Sequence, residues 1–309
     1  MNELPQQLVN GLLLGSMYGL VAIGYTMVYG IVQLINFAHG EIFMVGAFGA
    51  ITVHLYVLPD GTSMWIALPL MLIGAMITSV LVAIGAERFA YRPLRGAPGW
   101  PPDHRHRTLL ALQQAVWAFY PEAKSKLAFP QIEGGPFSIG GATVQTGDIF
   151  LIVAAPISMA FLAYFVMRTR TGRGMQATAQ DPDTAKLMGV NTDRIIVIAF
   201  ALGAVFAAVG GVASGLKYGQ IDFKMGFILG LKAFTAAVLG GIGNIYGAMI
   251  GGVVLGVVET LATAYIADIP GLDQFGSQSW AEVWAFILLI LVLLFRPQGL
   301  LGERVADRA

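Results

Sequence analysis

The 309-residue chain is 56% hydrophobic and only 12% charged, with a mean hydropathy of +0.71. A soluble domain carries about a quarter charged residues, so the excess apolar surface of this chain needs lipid to cover it. Lys plus Arg and Asp plus Glu balance at 18 each, which gives no electrostatic case for a nucleic-acid partner. The absence of cysteine excludes disulfides, thiolate catalysis and Cys-ligated metals.

Residues 1–10 hold Glu3 but no Lys or Arg. A cleaved leader needs a positive n-region, so the first apolar run reads as a retained span. Apolar runs near 8–30, 38–58, 64–87, 148–167, 195–216, 245–267 and 280–295 reach or approach the ~20 residues that cross a bilayer. A Gly-rich run at 225–243 is a further span or a re-entrant pair, and 108–120 is apolar but short. Arginines follow the third run (Arg88, Arg92, Arg95), fill 168–194 (Arg168, Arg170, Arg173, Arg194, with Lys186) and close the chain (Arg296, Arg304, Arg308). The positive-inside rule places these three stretches in the cytoplasm. The loops left outside hold lysines only: Lys124, Lys126 and Lys217, with Lys224 and Lys232 near the 225–243 run. The expected fold is an all-α polytopic transmembrane bundle of about 8–10 spans with broken helices, N-terminus outside and C-terminus inside. It forms a single domain over 1–309, with a cytoplasmic loop at 168–194 and a periplasmic one at 121–147.

Within 121–147, the pieces 137–139 and 142–145 predict a small hairpin. Many glycines sit four apart inside the runs, as in Gly11/Gly15/Gly19, Gly211/Gly215, Gly226/Gly230, Gly247/Gly251 and Gly252/Gly256. That spacing lets helix backbones approach closely in lipid. It serves packing within one bundle or, through one such face, dimerisation, and the first use is the commoner.

Three stretches carry the functional signal. Gln33-Leu34-Ile35-Asn36-Phe37-Ala38-His39-Gly40-Glu41 interrupts two apolar runs, either as a solvated turn or as an unwound segment lining a path, since irregular backbone at membrane depth needs protein or water around it. Lys232-Ala233-Phe234-Thr235-Ala236-Ala237-Val238-Leu239-Gly240-Gly241-Ile242-Gly243-Asn244 breaks a second span. It lacks G-x-G-x-x-G spacing and a preceding strand, so it is not a nucleotide loop. Paired interruptions, one per half, point to a substrate pathway by analogy with secondary transporters. In the cytoplasmic segment 171–191, Asp181 or Asp183 can cap a short helix over 184–188, with Pro182 in its first turn and Gly189 ending it. Ala177, Ala185, Leu187 and Met188 give that segment an apolar side which a partner would cover. Glu259, alone inside the run 245–267, is a functional candidate or a hydrogen-bonded structural carboxylic acid. His39-Gly40-Glu41 is not a zinc signature, and His54, His104 and His106 form no ligand set, so no metal site is expected. The sequence contains neither a P-loop nor a nucleophile–base–orienter set. Any ATP hydrolysis, with its Mg, therefore falls to another polypeptide, and no cofactor is expected in this chain.

The segments 35–41 and 237–244 with Gly247, and the ending Leu294-Phe295-Arg296-Pro297-Gln298-Gly299-Leu300, together resemble the branched-chain amino-acid ABC permease family, specifically its shorter permease subunit. The resemblance covers nearly the whole chain. It implies a non-enzymatic transport subunit in a bacterial inner membrane, paired with a paralogous longer permease, two ATP-binding subunits and a periplasmic binding protein that delivers leucine, isoleucine or valine. It also implies a coupling loop over 174–191, with Gly189 at the characteristic glycine. The pathway candidates are then Asn36, His39, Glu41, Gly241, Gly243, Asn244 and Glu259, with Asn36, His39, Gly241 and Asn244 expected around one cavity. The coupling candidates are Ala177, Asp181, Ala185, Leu187 and Gly189, of which Ala185, Leu187 and Gly189 are expected to dock into an ATPase. Permeases of urea and short-amide importers share the motifs. A self-contained secondary transporter or channel is the competing class, with Glu41 and Glu259 as its only plausible coupling pair.

The chain departs from the family over 99–111, where an apolar helix is replaced by Gly99-Trp100-Pro101-Pro102-Asp103-His104-Arg105-His106-Arg107-Thr108-Leu109-Leu110-Ala111. Codons for Asp103 to Thr108, read one base later, permit Ile-Thr-Ala-Ile-Gly. A local reading-frame shift therefore competes with genuine divergence and predicts a poorly formed fourth span.

Overall fold

The computed structural model describes residues 3–33, 36–93, 103–120, 125–139 and 141–302. Among them are eleven α-helices: α1 Leu4–Val32, α2 His39–Thr52, α3 Met64–Ala86, α4 Asp103–Phe119, α5 Thr146–Arg168, α6 Arg170–Gln180, α7 Pro182–Leu187, α8 Thr192–Tyr218, α9 Met225–Gly240, α10 Ile245–Tyr265 and α11 Ala281–Phe295. Helices α2 and α3 each run on through a π-helical turn, to Val57 and Tyr91 respectively. Six helices are long and apolar enough to cross a membrane, and three shorter apolar ones lie over 108–119, 225–240 and 281–295. These coincide with the segments read from hydropathy, and the fold is a polytopic helical bundle. The run 225–243 proves to be one short helix, α9, rather than a re-entrant pair.

Two faces are defined by contacts between distant parts of the chain. On one, strands β1 Leu127–Ala128 and β4 Gln220–Ile221 pair antiparallel, and the hairpin expected near 140 forms from β2 Phe137–Ile139 and β3 Ala142–Val144. The start of α1 joins this face, where the Thr143 N–H donates to Gln6 Oε1 at 2.6 Å. On the other face Arg92, just past α3, pairs with Asp193 in the first turn of α8 at 2.8 Å, which puts two of the arginine-rich stretches side by side as charge required.

α1 is the central post and packs on α10, α8 and α9. Its glycines are spent inside the chain: a Cβ on Gly15 would stand 2.5 Å from Val253 Cα, and one on Gly11 would stand 2.7 Å from Val257 Cα. The small-residue faces of α1 and α10 thus close one intramolecular seam, where dispersion contact replaces the hydrophobic drive that lipid removes. The helix α4 spans 17 residues, of which 108–119 are apolar. That apolar part rises only about 18 Å at 1.5 Å per residue, short of the ~30 Å hydrocarbon layer. Residues 99–102 of the divergent stretch lie outside the described residues.

Candidate functional site

The first interruption is a bend after α1, where Gln33 takes φ 54°. Asn36 holds the bend: its Oδ1 accepts from the Tyr91 hydroxyl at 2.7 Å and from the Ala38 N–H at 3.1 Å. His39, the first residue of α2, is buried against α1 and α8. Its ring lies 4.7 Å from Tyr25, edge to face, and a Cβ on Gly24 would come within 2.7 Å of it. Glu41 is fully buried and directed at the first turn of α9, where a Cβ on Gly226 would stand 2.8 Å from its Oε2. Among the described residues neither carboxyl oxygen of Glu41 has a hydrogen-bond partner. α9 is 16 residues long, about 24 Å at 1.5 Å per residue, so it need not run the full depth of the bilayer. It packs on the His39 end of α2, where Gly40 lies against Gly226 and Gly230.

The second interruption is held mainly by backbone contacts. Gly241 takes φ 104° and Gly243 φ 98°, which a side chain would resist. Asn244 caps α10 by accepting from the Gly247 N–H at 3.0 Å, and its amide donates to the Leu301 carbonyl at 2.9 Å. The chain after α11 returns to this point: Leu300 N–H donates to the Leu239 carbonyl and Leu301 N–H to the Gly240 carbonyl. The 237–244 motif and the end of the 294–300 motif, with Leu301 after it, are therefore one structural unit.

The two interruptions fall at the same ends of neighbouring helices, since a Cβ on Gly30 would stand 3.5 Å from Gly243 Cα. Their polar groups nevertheless turn apart. Asn36 and His39 face Tyr91, α1 and α8, whereas Gly241 and Asn244 face the C-terminal segment. Between α1 and α9 at this level, Tyr25, Tyr29, Phe234 and Ile242 leave a cavity of about 10 Å³, at the ~10–15 Å³ minimum that one water needs.

The opposite half is open. A cavity of about 270 Å³ starts at the face that carries β1 and β4, where Lys126, Tyr218, Gln220 and Asp222 form its mouth. Met17, Met225, Ile228 and Leu229 line its sides. Its inner wall includes Tyr18 and Lys232. Lys232 Nζ pairs with Glu259 Oε1 at 2.7 Å, and the Tyr18 hydroxyl donates to Glu259 Oε2 at 3.1 Å. The lysine also stands 5.7 Å from the Tyr18 ring centre. Glu259 is 2% exposed and the Lys232 side chain 10%. Lys232 thus lies in α9 inside the bundle rather than among the outer-loop lysines. Lys232 opens the second sequence motif, yet neither it nor Tyr18 is among the pathway candidates. The available signal was one cation and one anion, each isolated in neighbouring apolar runs, which cannot be buried apart from each other at tolerable cost.

On the arginine-rich face, the Asp181 carboxylate caps α7 by accepting from the N–H groups of Asp183 and Thr184. The Thr184 hydroxyl bonded to it, together with those N–H groups, holds its pKa below the ordinary aspartate value. The cap starts α7 at Pro182 rather than at 184, and Gly189, at φ 84°, turns the chain toward α8. The apolar side expected there as a single docking face is split. Ala185 is 3% exposed and packed inward and Ala177 is half-buried, while Leu187 and Met188 are 87% and 80% exposed. A six-residue helix has room for only one inward side, and the smallest apolar residue takes it. Among the described residues no group of three or more His, Asp or Glu side chains gathers as a metal site.

A bundle with six helices long and apolar enough to cross a membrane, and a cavity that opens at one face, belongs to the class of multi-pass membrane proteins. Residues 7–293 match the family described as branched-chain amino acid transport system / permease component, and the chain belongs to that family. It is 44% identical to the high-affinity branched-chain amino acid transport system permease protein BraD of Pseudomonas aeruginosa, over 98% of this chain and 97% of that one. It is 39% identical to the corresponding LivH protein of Escherichia coli K12, over the same shares of each chain. A solved structure described as PsaBC from Streptococcus pneumoniae in complex with Fab has the same fold, with a TM-score of 0.51 and 13% identity, covering 94% of this chain and 91% of that chain.

Proposed function

We propose that this chain is the shorter membrane-spanning subunit of an ATP-driven importer for branched-chain amino acids in a bacterial inner membrane. It would form the translocation path beside a paralogous permease. Two ATPase subunits would bind below, and a periplasmic binding protein would deliver the substrate above. The full-length likeness to permeases of branched-chain amino-acid transport carries this reading. The exposed pair Leu187 and Met188, on a helix stiffened by the Asp181 cap, supports the coupling role, because two large apolar side chains held in water favour a protein groove. Ala185 and Gly189 then serve that role from within, by seating the helix and turning the chain. ATP and its Mg belong to the partner subunits, since the sequence has no phosphate-cradling loop.

Two measurements test this reading. Replacing Leu187 and Met188 by glutamate should leave insertion and subunit assembly intact while ATP hydrolysis ceases to drive uptake. The chain reconstituted alone should show no ion-gradient-driven leucine uptake; such uptake would make it a self-contained transporter instead.

A further inference from the structure

Three features of the outward cavity combine. It is a partly enclosed space of about 270 Å³, near the lower end of the ~300–1,000 Å³ typical of small-molecule sites. Its sides are aliphatic and thioether, from Met17, Met225, Ile228 and Leu229. Its inner wall carries one cation, Lys232, in contact with one anion, Glu259, which the Tyr18 hydroxyl also holds. The Glu259 end of the pair lies between α1 and α10, bonded to Tyr18, while its Lys232 end lines a cavity that reaches the outer face.

We infer that the inner wall of this cavity is a transit subsite for the α-carbon end of a zwitterionic amino acid, its carboxylate taken by Lys232 and its ammonium by Glu259 with help from Tyr18. A zwitterion brings one charge of each sign on adjacent atoms. It can exchange with the Lys232–Glu259 contact pair for pair, leaving no uncompensated buried charge at any step. An aliphatic side chain then lies along Met17, Ile228 and Leu229. A singly charged analogue would strand one protein charge, and a neutral amide would give neither charge a full partner, so the wall selects against both. One acid and one base, Asp222 and Lys126, also line the cavity nearer its mouth. This inference rests on the amino-acid importer reading and adds where, and by which charges, the substrate is held.

The test uses the full assembly in proteoliposomes with leucine as probe. The exchange Lys232→Glu with Glu259→Lys keeps an ion pair across α9 and α10 but reverses its polarity. The expected result is normal assembly and normal ATPase stimulation by the leucine-loaded binding protein, with leucine uptake lowered about tenfold or more. Wild-type uptake by the exchanged variant overturns the inference. A second readout holds if the exchange prevents assembly: Ile228→Cys, in this cysteine-free chain, is labelled from outside by an impermeant thiol reagent. Free leucine should slow that labelling, while leucinamide and 4-methylpentanoate at equal concentration should not. Equal protection by all three, or by none, overturns the inference. Failure of the importer reading is separate: the wild-type assembly would then take up no leucine under ATP, and the subsite would fall with it.

Discussion

The two helix interruptions look alike in sequence, each a glycine-bearing polar break between apolar runs, yet they solve the same problem in opposite ways. At 241–244 the chain is held by positive-φ glycines, the Asn244 cap and the ladder from Leu300 and Leu301. At 36–41 the bend is fixed by one side chain, Asn36, while the Glu41 carboxyl is buried with no hydrogen-bond partner among the described residues. Buried unpaired groups cost stability and persist where something else needs them. The second break is architecture, and the first holds the unspent chemistry.

The contrast makes graded predictions. Gly241→Val should be the most damaging. It forces a β-branched residue to φ 104° and sets its Cβ 2.7 Å from Gly302 Cα, at a cost of about 1–2 kcal/mol for the backbone and ~1–3 kcal/mol for overpacking. The C-terminal segment should detach and become protease-sensitive near 296–302, with a lowered melting temperature in detergent. An unchanged digestion pattern would show that the ladder does not depend on this glycine. Asn36→Ala comes next. It removes the acceptor of the buried Tyr91 hydroxyl and should cost about 1–3 kcal/mol, with Tyr91→Phe costing less, as thermal melts in detergent would read. Glu41→Met should leave stability unchanged or raise it, because the carboxyl has no bond to lose, yet it should lower uptake. A destabilised Glu41→Met protein would mean that Glu41 is architecture after all.

The smallest effect belongs to Asp181→Ala, which should fray only α7. Hydrogen bonds from Thr184 depress the Asp181 pKa in the folded protein. The cap's contribution is therefore full above the unfolded aspartate value and is lost as pH falls through the folded one. Protection of the Asp183 and Thr184 amides, measured relative to their intrinsic exchange at each pH, should be high at neutral pH in the wild type, lower in acid, and low at both in the variant.

Span positions, the 137–144 hairpin and the Asp181-capped helix were legible because each follows from local rules: run length, alternation between turn residues, and Asp-Pro at a helix start. What escaped depended on contacts between distant segments. Hydropathy cannot show that the ending Leu300-Leu301 pairs with Leu239-Gly240, nor that Lys232 and Glu259, 27 residues apart, meet across two helices. The split of the coupling helix escaped for a different reason. In six residues, composition gives an apolar total without saying which side each residue faces, so Ala185 was grouped with Leu187. The divergence at 99–111 stays a proposal. A peptide spanning Asp103-His104-Arg105 from the expressed protein would establish the written frame and refute the shift.

The most direct test of the central claim is leucine uptake by proteoliposomes that hold this chain with its second permease and ATPases, supplied with the leucine-loaded binding protein outside and ATP inside. The account predicts accumulation against a gradient that stops when ATP or the binding protein is omitted. Accumulation that persists without ATP, or its absence with every component present, would contradict it.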